Sequence, residues 1–222
     1  MLKYAIFDLD GTVLDSMGIW QNIDAEFLKK HSLGDSEKYF EETRGMNFMQ
    51  FALYTIEKYN MDRTPESLMK EWDEMARKEY ETTVQAKPGA VKFIKKLHGM
   101  GVKLAVATSN YEAMYKPALV RLGIYDLFDT FCETHNSLEG KSNPKIYLEA
   151  VKNLGGTPES CAVFEDIIIG IRSANSAGFT TFAVADKHSK ADEPFLRKEA
   201  FRFTYDYSDI DISLFERNTD FK

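Results

Sequence analysis

The sequence predicts an α/β fold, a doubly wound and mainly parallel sheet with a small helical cap domain inserted into it. Three observations lead to this prediction. Short apolar runs alternate with helical stretches along most of the 222 residues, as in strand–helix–strand units. The apolar runs are continuous, which is typical of strands covered on both faces. One long stretch without strand-like runs follows directly on the first strand.

The predicted strands are short apolar segments that end at turn residues. Helices between them begin near proline and end near glycine, as Pro88 and Gly99 illustrate. This order makes the core Rossmann-like, with right-handed crossovers. The strands are predicted at Tyr4–Phe7, Lys103–Ala107, Thr130–Cys132, Cys161–Phe164, Thr180–Val184 and Arg202–Thr204, and the helices at 89–98, 117–122, 144–154 and 168–177.

The insert is recognised by its helical periodicity. Apolar residues recur at helical spacing between about residues 17 and 83, and both tryptophans of the chain lie there. We expect residues 16–85 to form the cap, packed over the open end of the sheet. Residues 1–15 and 86–222 then form the α/β core. The acidic end, from Asp206 onward, is predicted to be a surface strand tail with a short helix.

Composition and charge exclude several classes of protein. Lys plus Arg number 28 and Asp plus Glu 35, so the net charge is −7 and broad contact with a nucleic-acid backbone is not expected. No apolar run approaches the roughly 18 residues of a membrane span. The N-terminal segment does not fit a signal peptide, and two cysteines cannot build a disulfide framework. We expect a cytoplasmic protein without membrane or nucleic-acid partners, as a monomer or weak homodimer.

Acidic side chains follow two of the predicted strands. Asp8 and Asp10 are two residues apart at the end of the first strand, where Gly11 permits a sharp turn; alternate residues of a strand face the same way. Glu165 and Asp166 close the fourth strand. Turn capping would explain each pair alone. Together, at the carboxyl edge of a parallel sheet, they offer the oxygen ligands that Mg²⁺ prefers.

Two further segments can bind an anion. Thr108, Ser109 and Asn110 follow the second strand, where hydroxyl, amide and backbone N–H groups suit a phosphate. Lys141 lies just ahead of a predicted helix and could neutralise that phosphate. A plain helix N-cap for the triplet, and a solvated lysine, are the simpler alternatives for each segment taken alone.

Taken in this order, the motifs resemble those of the haloacid dehalogenase-like hydrolase superfamily. Asp8-Leu-Asp-Gly-Thr12 matches the first motif, Thr108 the second, Lys141 the third and Glu165-Asp166 the fourth. The spacing Gly140-Lys141-x-x-Pro144 and the run Ala174-x-x-Ala177-Gly178 are similar to the β-phosphoglucomutase-like branch, which carries its helical cap where we place the insert.

The resemblance implies a mechanism and a role for each matching residue. Asp8 would be the nucleophile that forms an aspartyl-phosphate, and Asp10 the acid and base. Mg²⁺ would be held by the Asp8 carboxylate, the Asp10 backbone carbonyl and the Asp166 carboxylate, with Glu165 orienting the water around the metal. Thr108, the Ser109 N–H and Lys141 would hold the phosphoryl oxygens.

Two departures from the branch bear on function. The residue after Glu165-Asp166 is usually a small serine, and here it is Ile167, which donates no side-chain hydrogen bond. Mutases of the branch carry a histidine where this chain has Trp20, which favours a phosphatase. The candidate substrate contacts in and near the cap are Asp15, Trp20, Arg44 and Asn47.

The leading prediction is therefore a Mg²⁺-dependent phosphatase that acts on a small phosphorylated metabolite, with a sugar phosphate as the first candidate. A phosphosugar mutase of the same fold is the first alternative. A non-catalytic module that senses a phosphometabolite is the second. The presence of Asp10, the group that would discharge an aspartyl-phosphate, argues against the second alternative.

Overall fold

The computed structural model describes residues 1–34, 39, 42, 48–134 and 140–215, with the side chains of Trp20, Phe48 and Gln50 left out. Six strands form one parallel sheet in the order β3-β2-β1-β4-β5-β6. The strands are β1 Tyr4–Phe7, β2 Lys103–Thr108, β3 Thr130–Glu133, β4 Cys161–Glu165, β5 Thr180–Val184 and β6 Arg202–Thr204. The predicted doubly wound parallel fold is confirmed.

Eight helices of more than one turn are described. In chain order they are α1 Ile19–His31, α2 Phe48–Tyr59, α3 Pro65–Thr82, α4 Ala90–Gly99, α5 Glu112–Arg121, α6 Lys145–Asn153, α7 Ile168–Ser176 and α8 Glu193–Glu199. Among the described residues, no helix combines the length and apolar character that a membrane crossing requires.

The chain divides into two compact units. One contains Met1–Met17 and Val84–Lys222, and the other is Gly18–Thr83. Within the first unit the outgoing and returning chain segments lie side by side, since Leu14 pairs antiparallel with Ala86. The Asp15 N–H donates to the Gln85 carbonyl at 2.8 Å. Both ends of the insert therefore leave the first unit at the same place.

Aromatic rings fill one face of the sheet. Phe7, Phe164 and Phe182 stack across β1, β4 and β5, with ring centroids 4.5 and 4.8 Å apart. On the other face, Tyr147 and Val151 of α6 pack with Ile6 and Val163. These two buried layers explain why the strands are apolar without alternation.

The second unit has its own core. Trp72 of α3 is fully buried. Its ring stacks on Phe51 at 4.4 Å and meets the edge of Phe27 at 5.4 Å. Helix α3 begins at Pro65, and its N-cap Thr64 accepts a hydrogen bond from the Ser67 N–H.

Two elements differ from the sequence prediction by more than one residue at an end. Helix α5 begins at Glu112, ahead of the predicted start at Pro117, which lies inside the helix; the helix tolerates the loss of one N–H donor there. The described part of the segment after Asp206, residues 207–215, forms two 3-10 turns, Tyr207–Asp209 and Ile212–Leu214, and residues 216–222 lie outside the described residues. It is not a surface strand tail, because Tyr207 is buried among the aromatic rings of the core.

Candidate active site

The candidate site lies at the carboxyl ends of β1, β2 and β4, in the middle of the sheet. The chain order reverses on either side of β1, which pairs with β2 on one side and β4 on the other. Parallel sheets bind ligands at such a reversal. The pairing of β1 with β4 extends beyond the strand, since the Asp8 N–H donates to the Phe164 carbonyl at 3.0 Å.

Three buried acids converge at this edge. Carboxylate oxygens of Asp8, Glu165 and Asp166 all lie within 4.8 Å of one another. The ammonium of Lys141 reaches into the group, where it contacts Asp8 and donates to Glu165 at 2.5 Å. Thr12 donates to Asp166 at 3.0 Å and lies 3.3 Å from Asp8. The third and fourth predicted motifs thus meet the first in one buried cluster.

Burial shifts the protonation of the cluster. It raises the pKa of Asp8 well above its ordinary value, partly offset by Lys141. Burial and the neighbouring Glu165 raise the pKa of Asp166 to about 7. Burial lowers the pKa of Lys141, but the facing carboxylates of Asp8 and Glu165 outweigh it and hold this pKa above its ordinary value. Lys141 therefore stays protonated, and Asp8 and Asp166 need further positive charge to ionise together.

Glu165 is held by two donors on one oxygen. Its Oε1 accepts from Lys141 and, at 2.7 Å, from the hydroxyl of Tyr147 on α6. A Cβ at Gly170 would lie 2.7 Å from the Glu165 carboxyl carbon and 2.9 Å from the Tyr147 hydroxyl, so only glycine leaves room there. This arrangement makes Glu165 a fixed partner for the Lys141 ammonium.

Asp10 has different surroundings from Asp8. Gly11 turns the chain with a φ of +82°, and the Asp10 carboxylate accepts from the Ser16 hydroxyl at 2.5 Å and from the Asn110 amide at 2.9 Å. Each oxygen of Asp10 therefore has its own donor. The Asp10 side chain is therefore oriented by Ser16, on the segment that leads to the insert, and by Asn110, on the loop after β2.

The predicted phosphate-binding residues lie at the end of β2 and beside it. Thr108 is buried, and its hydroxyl oxygen accepts from the Asn110 N–H at 3.1 Å. Ser109 is exposed, and its hydroxyl oxygen accepts from Thr134 at 3.2 Å. Strand β2 pairs with β1, so Thr108 at the end of β2 and Ser109 just after it lie on the segment next to the one that carries Asp8.

The candidate substrate contacts are less completely placed. Asp15 is half-exposed, and its carboxylate lies 3.9 Å from the Lys87 ammonium. Trp20 belongs to α1, without a described side chain. Arg44 and Asn47 lie outside the described residues.

Several polar contacts of the site were not anticipated from the sequence. Tyr147 holds Glu165, and Ser189, on the loop after β5, donates to Asp166 at 3.2 Å. Lys87 and Asp186 form a buried ion pair at 2.5 Å. These contacts join residues far apart in the chain, and no local motif indicates them.

A buried aspartate lies beside a lysine and an acidic pair at the central edge of a doubly wound sheet, an arrangement suited to phosphoryl transfer. Residues 5–184 match the family model described as haloacid dehalogenase-like hydrolase. The chain belongs to this family. The resemblance found in the sequence is confirmed.

Several relatives are named as phosphatases. The fructose-1-phosphate phosphatase of Escherichia coli is 30% identical over 79% of this chain and 94% of its own. The hexitol phosphatase A of the same organism is 25% identical over 88% of each chain. With the family match, these names confirm the predicted enzyme class, a phosphoric monoester hydrolase.

Solved structures share the fold. The structure of CbbY from Rhodobacter sphaeroides in complex with phosphate has a TM-score of 0.74 at 20% identity, and the match covers 94% of this chain and 96% of that one. A β-phosphoglucomutase of Clostridium difficile has a TM-score of 0.65 at 21% identity, covering 96% and 95%. At these identities the likeness concerns the fold alone.

Proposed function

We propose that the protein is a Mg²⁺-dependent phosphatase that hydrolyses a small phosphorylated metabolite through an aspartyl-phosphate, with a sugar phosphate as the first candidate. The observation that carries the proposal is the buried contact of the Lys141 ammonium with Asp8, beside Asp166. It brings together a nucleophile, a cation for the phosphoryl oxygens and a second carboxylate for a metal ion.

The donor set fits Mg²⁺. Carboxylates of Asp8 and Asp166, with the Asp10 backbone carbonyl, would hold the ion. Mg²⁺ prefers oxygen ligands and uses one or two carboxylates, and three buried acids that face a single lysine leave negative charge to be balanced. When bound, the ion would reduce the repulsion between the anionic carboxylate and the anionic phosphate and stabilise the transferring group.

Asp8 and Asp10 divide the chemistry between them. A bond forms from an Asp8 carboxylate oxygen to phosphorus while the bond to the leaving oxygen breaks, and Asp10 donates its proton to that oxygen. Asp10 then takes a proton from the water that attacks the phosphorus. The bond to Asp8 breaks, inorganic phosphate leaves, and both aspartates return to their initial state.

The remaining polar groups would hold the phosphoryl oxygens. Lys141, kept protonated by its carboxylate neighbours, would face one oxygen, and the Thr108 hydroxyl and the Ser109 N–H would donate to others. Glu165 and Tyr147 keep the lysine in place. Donors fixed in advance in this way stabilise the charge of the transition state at little cost in reorganisation.

Selection of the substrate would fall to the helical unit Gly18–Thr83, acting as a cap domain. The proposed substrate contacts are Asp15, just before the helical unit, and Trp20, Arg44 and Asn47 within it. An arginine there would suit an anionic group of the metabolite. We also expect a cytoplasmic location. We expect a monomer or weak homodimer, and size-exclusion chromatography would test this oligomeric state.

The test is phosphate release from purified protein. We expect hydrolysis of p-nitrophenyl phosphate, and of members of a panel of phosphorylated metabolites, that requires Mg²⁺ and stops on chelation. Asp8→Asn should lower kcat by about a thousandfold or more. Asp62→Asn, at an exposed aspartate of the helical unit, is the control and should retain activity. Undiminished turnover by Asp8→Asn would contradict the mechanism.

A mutase is distinguished from a phosphatase by its product. The mutase to be tested for is a β-phosphoglucomutase, since a protein of that name has the same fold. Incubation with β-glucose 1-phosphate should release inorganic phosphate if the proposal holds. Formation of the 6-phosphate isomer without free phosphate would identify a mutase.

A further inference from the structure

The carboxylate of Asp166 is held by one hydroxyl on each of its oxygens. Thr12 donates to Oδ1 at 3.0 Å, and Ser189 donates to Oδ2 at 3.2 Å. Thr12 follows β1 and Ser189 follows β5, so the two donors approach from different parts of the sheet edge. Ile167, the next residue in the chain, has no side-chain donor to offer.

The hydroxyl of Ser189 donates to Asp166 and does not cap the 3-10 turn that follows it. Ser189 is the N-cap of the 3-10 turn Lys190–Asp192, a position where serine commonly caps, yet its side chain makes no capping hydrogen bond. It is half-buried, whereas His188 and Lys190 on either side are exposed. The side chain is thus turned inward between two residues that face solvent.

A buried ion pair fixes the loop that carries Ser189. The Asp186 carboxylate accepts from the Lys87 ammonium at 2.5 Å and from the His188 N–H at 2.7 Å. The Ser189 N–H donates to the Asp186 carbonyl at 3.2 Å, and Lys87 also donates to the Ala185 carbonyl at 3.1 Å. Burying an ion pair is costly. Here the pair sets the position of the loop relative to Asp166.

We propose that Ser189 is a positioning residue for the metal site, which orients the Asp166 carboxylate so that it can bind a divalent cation. The inference rests on the proposed function, since it assumes that Asp166 binds Mg²⁺. A donor on one carboxylate oxygen fixes the rotation of the group. Partners of this kind commonly change metal affinity by tenfold or more.

The substitution Ser189→Ala removes this contact alone. The backbone hydrogen bonds of Ser189, from its N–H to Asp186 and from the Asp192 N–H to its carbonyl, do not involve the side chain. Titration calorimetry should show the Kd for Mg²⁺ rising about tenfold. The kcat at saturating Mg²⁺ should change much less than the Mg²⁺ concentration needed for half-maximal rate. Ser189→Thr, which keeps a hydroxyl, should restore most of the affinity.

The control is Ser176→Ala, which removes the hydroxyl that donates to the Ser173 carbonyl at 2.7 Å on α7. Its Kd for Mg²⁺ should equal that of the wild type. A Ser189→Ala variant that binds Mg²⁺ as tightly as the wild type would overturn this inference and leave the proposed phosphatase intact. A wild-type protein that binds no Mg²⁺ would contradict both.

Discussion

Two aspartates only two residues apart, Asp8 and Asp10, have clearly different surroundings. Asp8 is buried in an acidic cluster with a lysine, and Asp10 is oriented by two neutral donors, Ser16 and Asn110. The alternation of side chains along a strand predicts a shared site, but the two carboxylates have separate sets of partners in the structure. This separation suits a nucleophile and an acid–base group that must not be interchangeable.

At the same scale, a buried carboxyl outside the site predicts a pH dependence of stability. Asp24 of α1 is 4% exposed, and among the described residues its Oδ1 accepts no hydrogen bond. Burial raises its pKa to about 7. The folded state therefore holds this proton more tightly than the unfolded chain, so stability from Asp24 is full below about pH 4 and is lost as pH rises through about 7.

Asp24→Asn should remove this dependence. We expect its Tm to exceed that of the wild type by several degrees at about pH 8, because no charge is then buried. At about pH 4.5 the two proteins should unfold at similar temperatures. Circular dichroism melts across this range measure the difference. An equal shift at both pH values would show that Asp24 is not buried as a carboxylic acid.

Some residues of the site can be predicted from the sequence, and others are found only in the structure. Asp8 and Thr108 follow or end apolar runs and Lys141 lies just ahead of a helix, and such strand ends and helix starts are visible in a single sequence. Ser189 and Tyr147 are not visible in this way, because their partners, Asp166 and Glu165, lie on other elements. Hydroxyl groups in helices and loops are common, and only the three-dimensional structure shows which of them meets a carboxylate.

At the scale of elements, the close approach of α7 to β4 predicts a requirement for glycine. A Cβ at Gly170 would lie 2.7 Å from the Glu165 carboxyl carbon. Gly170→Ala should therefore lower the free energy of unfolding by about 1–3 kcal/mol and reduce kcat by displacing the partner of Lys141. Urea unfolding and steady-state kinetics measure the two effects.

Gly99→Ala is the matched control on a helix. Gly99 is exposed at the end of α4, with open space where a Cβ would lie. Alanine there should be neutral or stabilise by up to about 1 kcal/mol. Equal effects of the two substitutions on stability and kcat would contradict the packing of Gly170 against Glu165.

The prediction of elements succeeds where local signals are strong. Strands β5 and β6 have the predicted bounds, since each is a short apolar or β-branched run between turn residues. The predicted start of α5 is wrong. Proline is typical of the first turn of a helix, but here the helix begins at Glu112 and continues through Pro117. The prediction of a surface strand tail after Asp206 is wrong, because the burial of Tyr207 depends on aromatic rings of other strands, which the local sequence does not show.

At the scale of the whole molecule, the order of the sheet concentrates the chemistry. Strand β1 lies between β2 and β4, so the ends of three strands supply the acids and the phosphate-binding groups. Leu14 and Ala86, on the segments that lead to and from the helical unit, pair with each other within the first unit. One unit can therefore keep the reaction constant while the other varies with the substrate, which is the division of labour we propose.

The most direct test of the central claim is to trap the phosphoryl group on Asp8. Asp10→Asn protein should still be phosphorylated by p-nitrophenyl phosphate, whose leaving group needs little protonation, but should discharge slowly because no base activates water. After an acid quench and borohydride reduction, mass spectrometry should find residue 8 converted to homoserine. Continued turnover with residue 8 unmodified, or a phosphoryl group on another residue, would contradict the claim.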